Sequence, residues 1–334
     1  MGERRGEKLI HGISTLMPVF FKARDSRAEA LLQIAIQSVL NQSCAIPHEL
    51  LIIDDGSPVP LESLRAFIPE LNDPRVRIIP LPLNVKLVSA LNFGLRAARY
   101  NLIARLDADD AWRPGKLEHQ LRVMAAEPEL TILGTSMRIH HEDDPSKDWD
   151  EIRQGSWDGI HQLIAKLGCP FPHGSILAKK EIFQFLGGYP TDPVFAHCED
   201  LALWSIWTRF FNCAILPEIY LEYRVHAHGV SSQFENSQRR GSRIVMNRYY
   251  SLHLEPHYFD GYAYFSKKLG CGLNEIGKLF YTLWKYYPGV RVAPEDLAIV
   301  RKLLPDRPII AVDDFSTPGH EHFANLTQPS DYLV

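Results

Sequence analysis

The stretch Asn101-Leu-Ile-Ala-Arg-Leu-Asp-Ala-Asp-Asp-Ala-Trp-Arg-Pro114 constrains the chain more than any other, because an apolar run stops abruptly in three carboxylates, Asp107, Asp109 and Asp110. A stable core does not bury three uncompensated acids at a strand end, so they belong at the mouth of a cleft, where a divalent cation can neutralise them. Taken alone, the same acids also read as an acidic turn with a helix N-cap ahead of Pro114.

The segments before this stretch bear on the choice. Ile13 to Phe20 reads as a strand, and Ala28 to Asn41 as a helix whose apolar residues Leu31, Leu32, Ile34, Ile36, Val39 and Leu40 are broad enough to pack on a sheet. Glu49-Leu-Leu-Ile-Ile-Asp-Asp-Gly-Ser57 is a near-continuous apolar strand of the parallel-sheet kind, ended by two acids, a glycine and a serine. A helix over Leu61–Leu71, a strand over Val76–Leu81, a helix over Val85–Arg99 and a strand over Leu102–Leu106 follow. Strands and helices in alternation imply an α/β fold with a mostly parallel sheet, right-handed crossovers and ligands at the carboxyl ends of the strands. Asp54, Asp55, Asp107, Asp109 and Asp110 all fall at such ends. Two acidic strand ends on one sheet edge favour the ligand-facing reading over the acidic turn.

Beyond Pro114 the pattern predicts a helix over Lys116–Ala126, a strand over Leu130–His140 and an exposed loop over Glu142–Glu151. A Gly187-Gly-Tyr-Pro190 break precedes Glu199 and Asp200, which open an apolar helix running to Trp207. Acids at a helix start are also a dipole-favoured cap, and that reading stands beside the functional one. Cys213 to Val225 returns as strand, and Arg239–Leu252 and Asn274–Tyr286 read as helices. Ile309-Ile-Ala-Val-Asp-Asp-Phe-Ser316 echoes the earlier Asp-Asp strand but lacks its glycine and following helix, so the echo is coincidental.

Composition narrows the partners. At 334 residues and 46% hydrophobic content the chain can fill a substantial core, and a net charge of −4 leaves no electrostatic footprint for nucleic acid. Five cysteines without a Cys-x-x-Cys pair argue against a zinc site or a disulfide framework and fit a cytoplasmic compartment. No apolar run has signal-peptide or membrane-spanning character, which leaves only peripheral contact with the inner face of the plasma membrane open.

Met17-Pro-Val-Phe20, Ser38-Val-Leu-Asn-Gln42, Leu51-Ile-Ile-Asp-Asp-Gly-Ser57, Ala90-Leu-Asn-Phe-Gly-Leu-Arg-Ala-Ala-Arg99, Ile103-Ala-Arg-Leu-Asp-Ala-Asp-Asp110, Gly187-Gly-Tyr189, Glu199-Asp-Leu-Ala-Leu-Trp204 and Tyr223-Arg-Val-His226 occur in this order. Together they resemble the inverting family 2 glycosyltransferases of the GT-A type, of the kind that build bacterial surface polysaccharide. The resemblance covers residues 13 to 232. It implies a Rossmann-like GT-A domain over 1–232, with a nucleotide-sugar half at 13–115, an acceptor half at 116–232 and a mainly helical region at 233–334.

The resemblance also implies roles. Pro18, Val19 and Phe20 would line a nucleoside pocket; Asp55, with Asp54 beside it, would accept the imide N–H of uracil, which favours a UDP-sugar donor. Asp107 would face the ribose and diphosphate and share with Asp109 and His226 the binding of Mn²⁺ or Mg²⁺, with Arg224 on the diphosphate. A lone histidine such as His226 also reads as a surface or core residue. Asp200 would be the catalytic base, taking the proton from a glycan or lipid-linked acceptor, with Glu199 orienting it. Asp110 is expected to cap the next helix, and His173 is an acceptor-side candidate. Lys86 and Asn101 stand where relatives carry glycine or a glycine-containing turn, which bears on donor preference. Two other readings compete: a sugar-phosphate nucleotidyltransferase, against which the glycine-free Met17-Pro-Val-Phe-Phe-Lys-Ala-Arg24 speaks, and a non-catalytic sugar-nucleotide-binding module. A dinucleotide dehydrogenase is disfavoured by the lack of Gly-x-Gly-x-x-Gly after the first strand.

Overall fold

The computed structural model of the protein describes residues 10–153, 155, 159–160, 169–191, 193–226 and 235–251, with short strands at 309–310 and 332–333. Strands β1 (Ile10–Val19), β2 (His48–Asp54), β3 (Val76–Pro80) and β4 (Tyr100–Arg105) lie parallel in the order β3-β2-β1-β4. Leu50 to Ile53 are buried without a break, as expected of a strand covered on both faces. Val19 pairs with Asp54, and Leu16 pairs with Arg105. Pro18–Phe20, Asp54–Asp55 and Asp107 therefore leave the sheet at one edge.

Helices α1 (Ser26–Leu40) and α2 (Lys86–Ala97) supply crossovers. The first begins two residues before the predicted Ala28 because the Asp25 carboxylate accepts the N–H groups of Arg27 and Ala28. The helix expected over Leu61–Leu71 is instead two single 3₁₀ turns, Leu61–Leu64 and Pro69–Asn72. Pro69 lacks the N–H that a continuous helix needs and its ring crowds the preceding turn.

The second half is mixed rather than parallel. Strands β5 (Ala111–Trp112), β6 (Ile132–His141), β7 (Trp149–Glu151), β8 (Leu177–Lys179) and β9 (Cys213–Val225) extend the sheet in the order β4-β8-β6-β9-β5, with β7 on β6. Strand β8 runs antiparallel to both neighbours, β6 and β9 are parallel, and β5 is antiparallel to β9. The parallel expectation thus holds for the half before Leu106.

Helices cover both faces. On one, α1 and α3 (Lys116–Ala126) set Leu32, Ile36 and Leu117 over Met17, Leu50 and Ile52. On the other, α2, α4 (Lys180–Phe185) and α5 (Glu199–Phe210) bury Leu91, Trp204 and Trp207 with Leu16, Leu51 and Ile53. Gly94 lets α2 lie close to the sheet, since a Cβ there would stand 2.9 Å from the Ile53 Cδ1. Ile244 and Val245 of α6 (Glu235–Ser251) join the same core. The predicted helix Asn274–Tyr286 lies outside the described residues. Among those described, no helix is long and apolar enough to cross a membrane.

Candidate active site

The carboxyl edge is built first from the loop after β2. Asp54 spends both oxygens on that loop, accepting Ser57 N–H at 3.1 Å and Leu61 N–H at 2.9 Å. Its carboxylate thereby shapes the loop on which the donor-side expectation for Asp54 falls. Gly56 sits at φ +67°, and a Cβ there would lie 2.2 Å from the Leu83 carbonyl carbon, so the turn admits only glycine without displacement. Asp55 reaches across to the start of α2 and accepts Val85 N–H at 2.7 Å. Burial pushes its carboxyl above the ordinary range, against hydrogen bonds from Val85 and Lys86 N–H. Lys86 itself adopts φ 70°, the left-handed region that favours glycine. Beside this loop Val19 is buried, while Phe20 is exposed at 46%.

At the end of β4 three acids take different partners. Both Asp107 oxygens accept from the two terminal nitrogens of Arg105, a guanidinium only 3% exposed. Asp109 extends outward, its Oδ2 3.0 Å from His226 Nε2 at the end of β9. Asp110 is buried and accepts Arg224 N–H through Oδ1 at 2.9 Å, while its Oδ2 has no hydrogen-bond partner. The expected cap is thus corrected: Asp110 ties β4 to β9, and Gly115 precedes α3 without a side-chain cap. Burial first, then Asp107 and Asp109, raise the Asp110 carboxyl well above its usual range. The Arg224 side chain keeps its Nε buried and unpartnered.

A divalent cation fits one part of this edge. Asp109 and His226 offer an oxygen and a nitrogen at contact distance, while Asp107 has one lone pair of each oxygen engaged by the Arg105 guanidinium and one of each left over. No group of three or more His, Cys, Asp or Glu side chains suited to a metal occurs among the described residues.

The second half contributes the opposite wall. The N-cap of α5 is Cys198, which makes no side-chain cap, while Glu199 and Asp200 both lie in the first turn, where the helix dipole favours acids. Asp200 accepts Leu201 N–H at 2.7 Å through Oδ1 and the Cys169 thiol at 3.5 Å through Oδ2. Burial raises both carboxyls, Glu199 to about 7 with Asp200 as its second cause. The Asp200 charge also raises Asp107. His173 stands beside Tyr189, its Nε2 2.7 Å from the phenol oxygen, and burial drives its imidazole well below the usual range.

Sequence reading singled out neither Arg105 nor Cys169. Arg105 left a signal, being the only charge in the buried run Leu102–Leu106, while Cys169 left none. A cleft of about 670 Å³ lined by His11, Asn101, Leu121 and Lys179 opens at the opposite sheet edge, and none of the predicted catalytic, donor or metal residues lines it.

Acidic strand ends gathered at the carboxyl edge of an open sheet, faced by an acidic helix start from the second half, make up the GT-A arrangement of a glycosyltransferase. A model described as Glycosyl transferase family 2 matches residues 14–186, and the chain belongs to that family. The match ends before Glu199, Asp200, Arg224 and His226. The chain is 29% identical over 222 residues to the amylovoran biosynthesis glycosyltransferase AmsE of Erwinia amylovora, covering 66% of this chain and 79% of the relative. It is 29% identical to an Escherichia coli UDP-Gal:alpha-D-GlcNAc-diphosphoundecaprenol beta-1,3-galactosyltransferase, over 57% of this chain and 61% of that one. The crystal structure of S. aureus TarS 1-349 in complex with UDP-GlcNAc superposes with a TM-score of 0.55 at 11% identity, covering 87% of this chain and 81% of that chain. The nucleotidyltransferase and non-catalytic readings give way to this assignment.

Proposed function

We propose that this glycosyltransferase moves a sugar from a nucleotide-diphosphate donor, UDP-linked by preference, to a hydroxyl of a glycan or lipid-linked acceptor in surface-polysaccharide biosynthesis. The transfer inverts the anomeric carbon and uses Mn²⁺ or Mg²⁺. Relatives named for amylovoran and O-antigen biosynthesis support the product class, and a relative named for a UDP-Gal donor and a diphosphoundecaprenol acceptor supports both substrates.

In this reading Pro18, Val19 and Phe20 line the nucleoside pocket, with the exposed Phe20 ring as a packing surface. Asp55 retains lone pairs for the uracil imide N–H beyond the bond from Val85. Asp54 contributes through loop shape. Asp107, clamped by Arg105, faces the ribose and diphosphate, and Arg224 approaches the phosphates. Asp109 and His226 hold the cation, which when bound offsets the charge of the departing diphosphate. Asp200 takes the proton of the attacking hydroxyl, and a single in-line displacement inverts the centre. Leu201 N–H and the Cys169 thiol grip different oxygens of Asp200 and fix its carboxylate plane. Glu199 and His173 orient the acceptor. A lipid-linked acceptor would make the protein a peripheral visitor at the inner face of the membrane.

The observation that carries the proposal is the family match over residues 14–186 together with the seating of Asp109 Oδ2 3.0 Å from His226 Nε2 at the carboxyl edge of the sheet. Nucleotide release is the test, from UDP-, GDP- and dTDP-sugars offered with varied acceptors, with and without Mn²⁺. Release from a UDP-sugar that disappears in Asp109→Ala is expected. Metal-independent release, or an Asp109→Ala protein with unchanged turnover, overturns the metal assignment.

A further inference from the structure

Arg105 enters the roles above only as the partner of Asp107, yet it sits where a charge is hardest to accommodate. It closes β4 after Leu102, Ile103 and Ala104, all buried, and is itself 3% exposed. Arginine is rarely buried unless paired, and here the pairing is bidentate, each terminal nitrogen donating to one Asp107 oxygen. The Nε is also buried and finds no partner. A clamp of this kind costs a desolvated cation, and it fixes the plane of the Asp107 carboxylate while leaving each oxygen a further lone pair.

The surroundings show what the charge faces. Asp110 lies on the same loop, Tyr189 comes from the turn before Pro190, and Glu199 and Asp200 start α5; Arg105 eases the ionisation of all four. Asp200 is also faced by Asp107 from the end of β4, by Cys169, and by Cys198 of its own helix start. Arg105 thus bears on acids from both walls among the described residues.

We propose that Arg105 is a positioning residue for sugar transfer: its guanidinium holds the Asp107 carboxylate in one orientation toward the donor. This rests on Asp107 facing the donor as proposed above.

The test uses the full chain with the UDP-sugar that the wild-type protein turns over. Arg105→Gln is expected to lower kcat roughly 100-fold with donor KM within about threefold. Arg105→Lys, which keeps the charge but loses the fork, should lower kcat about tenfold. Combining Arg105→Gln with Asp107→Asn should cost no more than the larger single change, because both remove one clamp. UDP affinity by calorimetry on the same four proteins gives a cycle that needs no turnover. Should Arg105→Gln not fold, the Lys variant and a second cycle built with it decide. Wild-type kcat in Arg105→Lys together with additive cycles overturns the clamp. Wild-type kcat and wild-type UDP affinity in Asp107→Asn instead remove the donor-facing reading of Asp107 on which the clamp's role rests.

Discussion

Gly56→Ala is the perturbation that most directly probes how the loop after β2 builds the donor side. At φ +67° an alanine sits in a region that costs on the order of 1–3 kcal/mol for a side chain that has no compensating contact. Its Cβ would stand 2.2 Å from the Leu83 carbonyl carbon and 2.5 Å from Asn84 N, where ordinary contact begins at 3.4 Å. The two loops must therefore separate by roughly 1.2 Å, and the atoms in the way are backbone, which cannot rotate aside. Overpacking adds about 1–3 kcal/mol, so the expected loss is about 2–6 kcal/mol in urea unfolding. Separation also pulls Val85 N–H from the Asp55 carboxylate, now 2.7 Å away, and should weaken UDP binding at least tenfold by calorimetry. Wild-type stability and wild-type UDP affinity in Gly56→Ala would refute the claim that loop contact with the start of α2 shapes the nucleoside site.

Three further outcomes follow from the site and its support. Trp204 is fully buried against Phe171, Phe183 and Trp207, so Trp204→Ala should lose about 3–5 kcal/mol in urea unfolding; a loss below about 1 kcal/mol contradicts its place in the core. Glu199 has a folded carboxyl raised to about 7, so the folded state binds its proton more tightly than the unfolded chain, and its contribution to stability declines as pH rises from about 4.5 through 7. Glu199→Gln should accordingly flatten that decline and gain on the order of 1–3 kcal/mol relative to the parent above pH 7; parallel stability–pH curves for the two proteins rule this out. His226→Ala should raise the Mn²⁺ concentration needed for half-maximal nucleotide release roughly 10- to 100-fold, and an unchanged metal dependence removes His226 from the cation's ligands.

Much of the first half was legible because buried parallel strands announce themselves as apolar runs ended by acids. Leu50–Ile53 and Leu102–Leu106 needed no tertiary information, and the register of β1 with β2 and β4 then brings Asp54, Asp55 and Asp107 to one edge. Leu61–Leu71 misled because its apolar spacing suits a helix while Pro69 forbids one. The second half was harder for a different reason. Strands β5 and β8 have two and three residues, too few to show a period, and their antiparallel partners lie far along the chain. Partner choice within the acidic motif was likewise invisible: nothing in Asp107-Ala-Asp-Asp110 says that the first carboxylate meets Arg105, the second His226 and the third Arg224 N–H. The last two partners are fixed by where β9 ends, which is a property of the folded sheet.

The central claim is that β4 holds the donor while Asp200 on α5 acts on the acceptor, and Asp200→Asn separates the two. The measurement is kcat for nucleotide release in the presence of acceptor, paired with calorimetric UDP affinity on the same protein. The account predicts a loss of at least about 1,000-fold in kcat with UDP affinity within about threefold of wild type. Turnover within about tenfold of wild type, or a parallel collapse of UDP affinity, contradicts it.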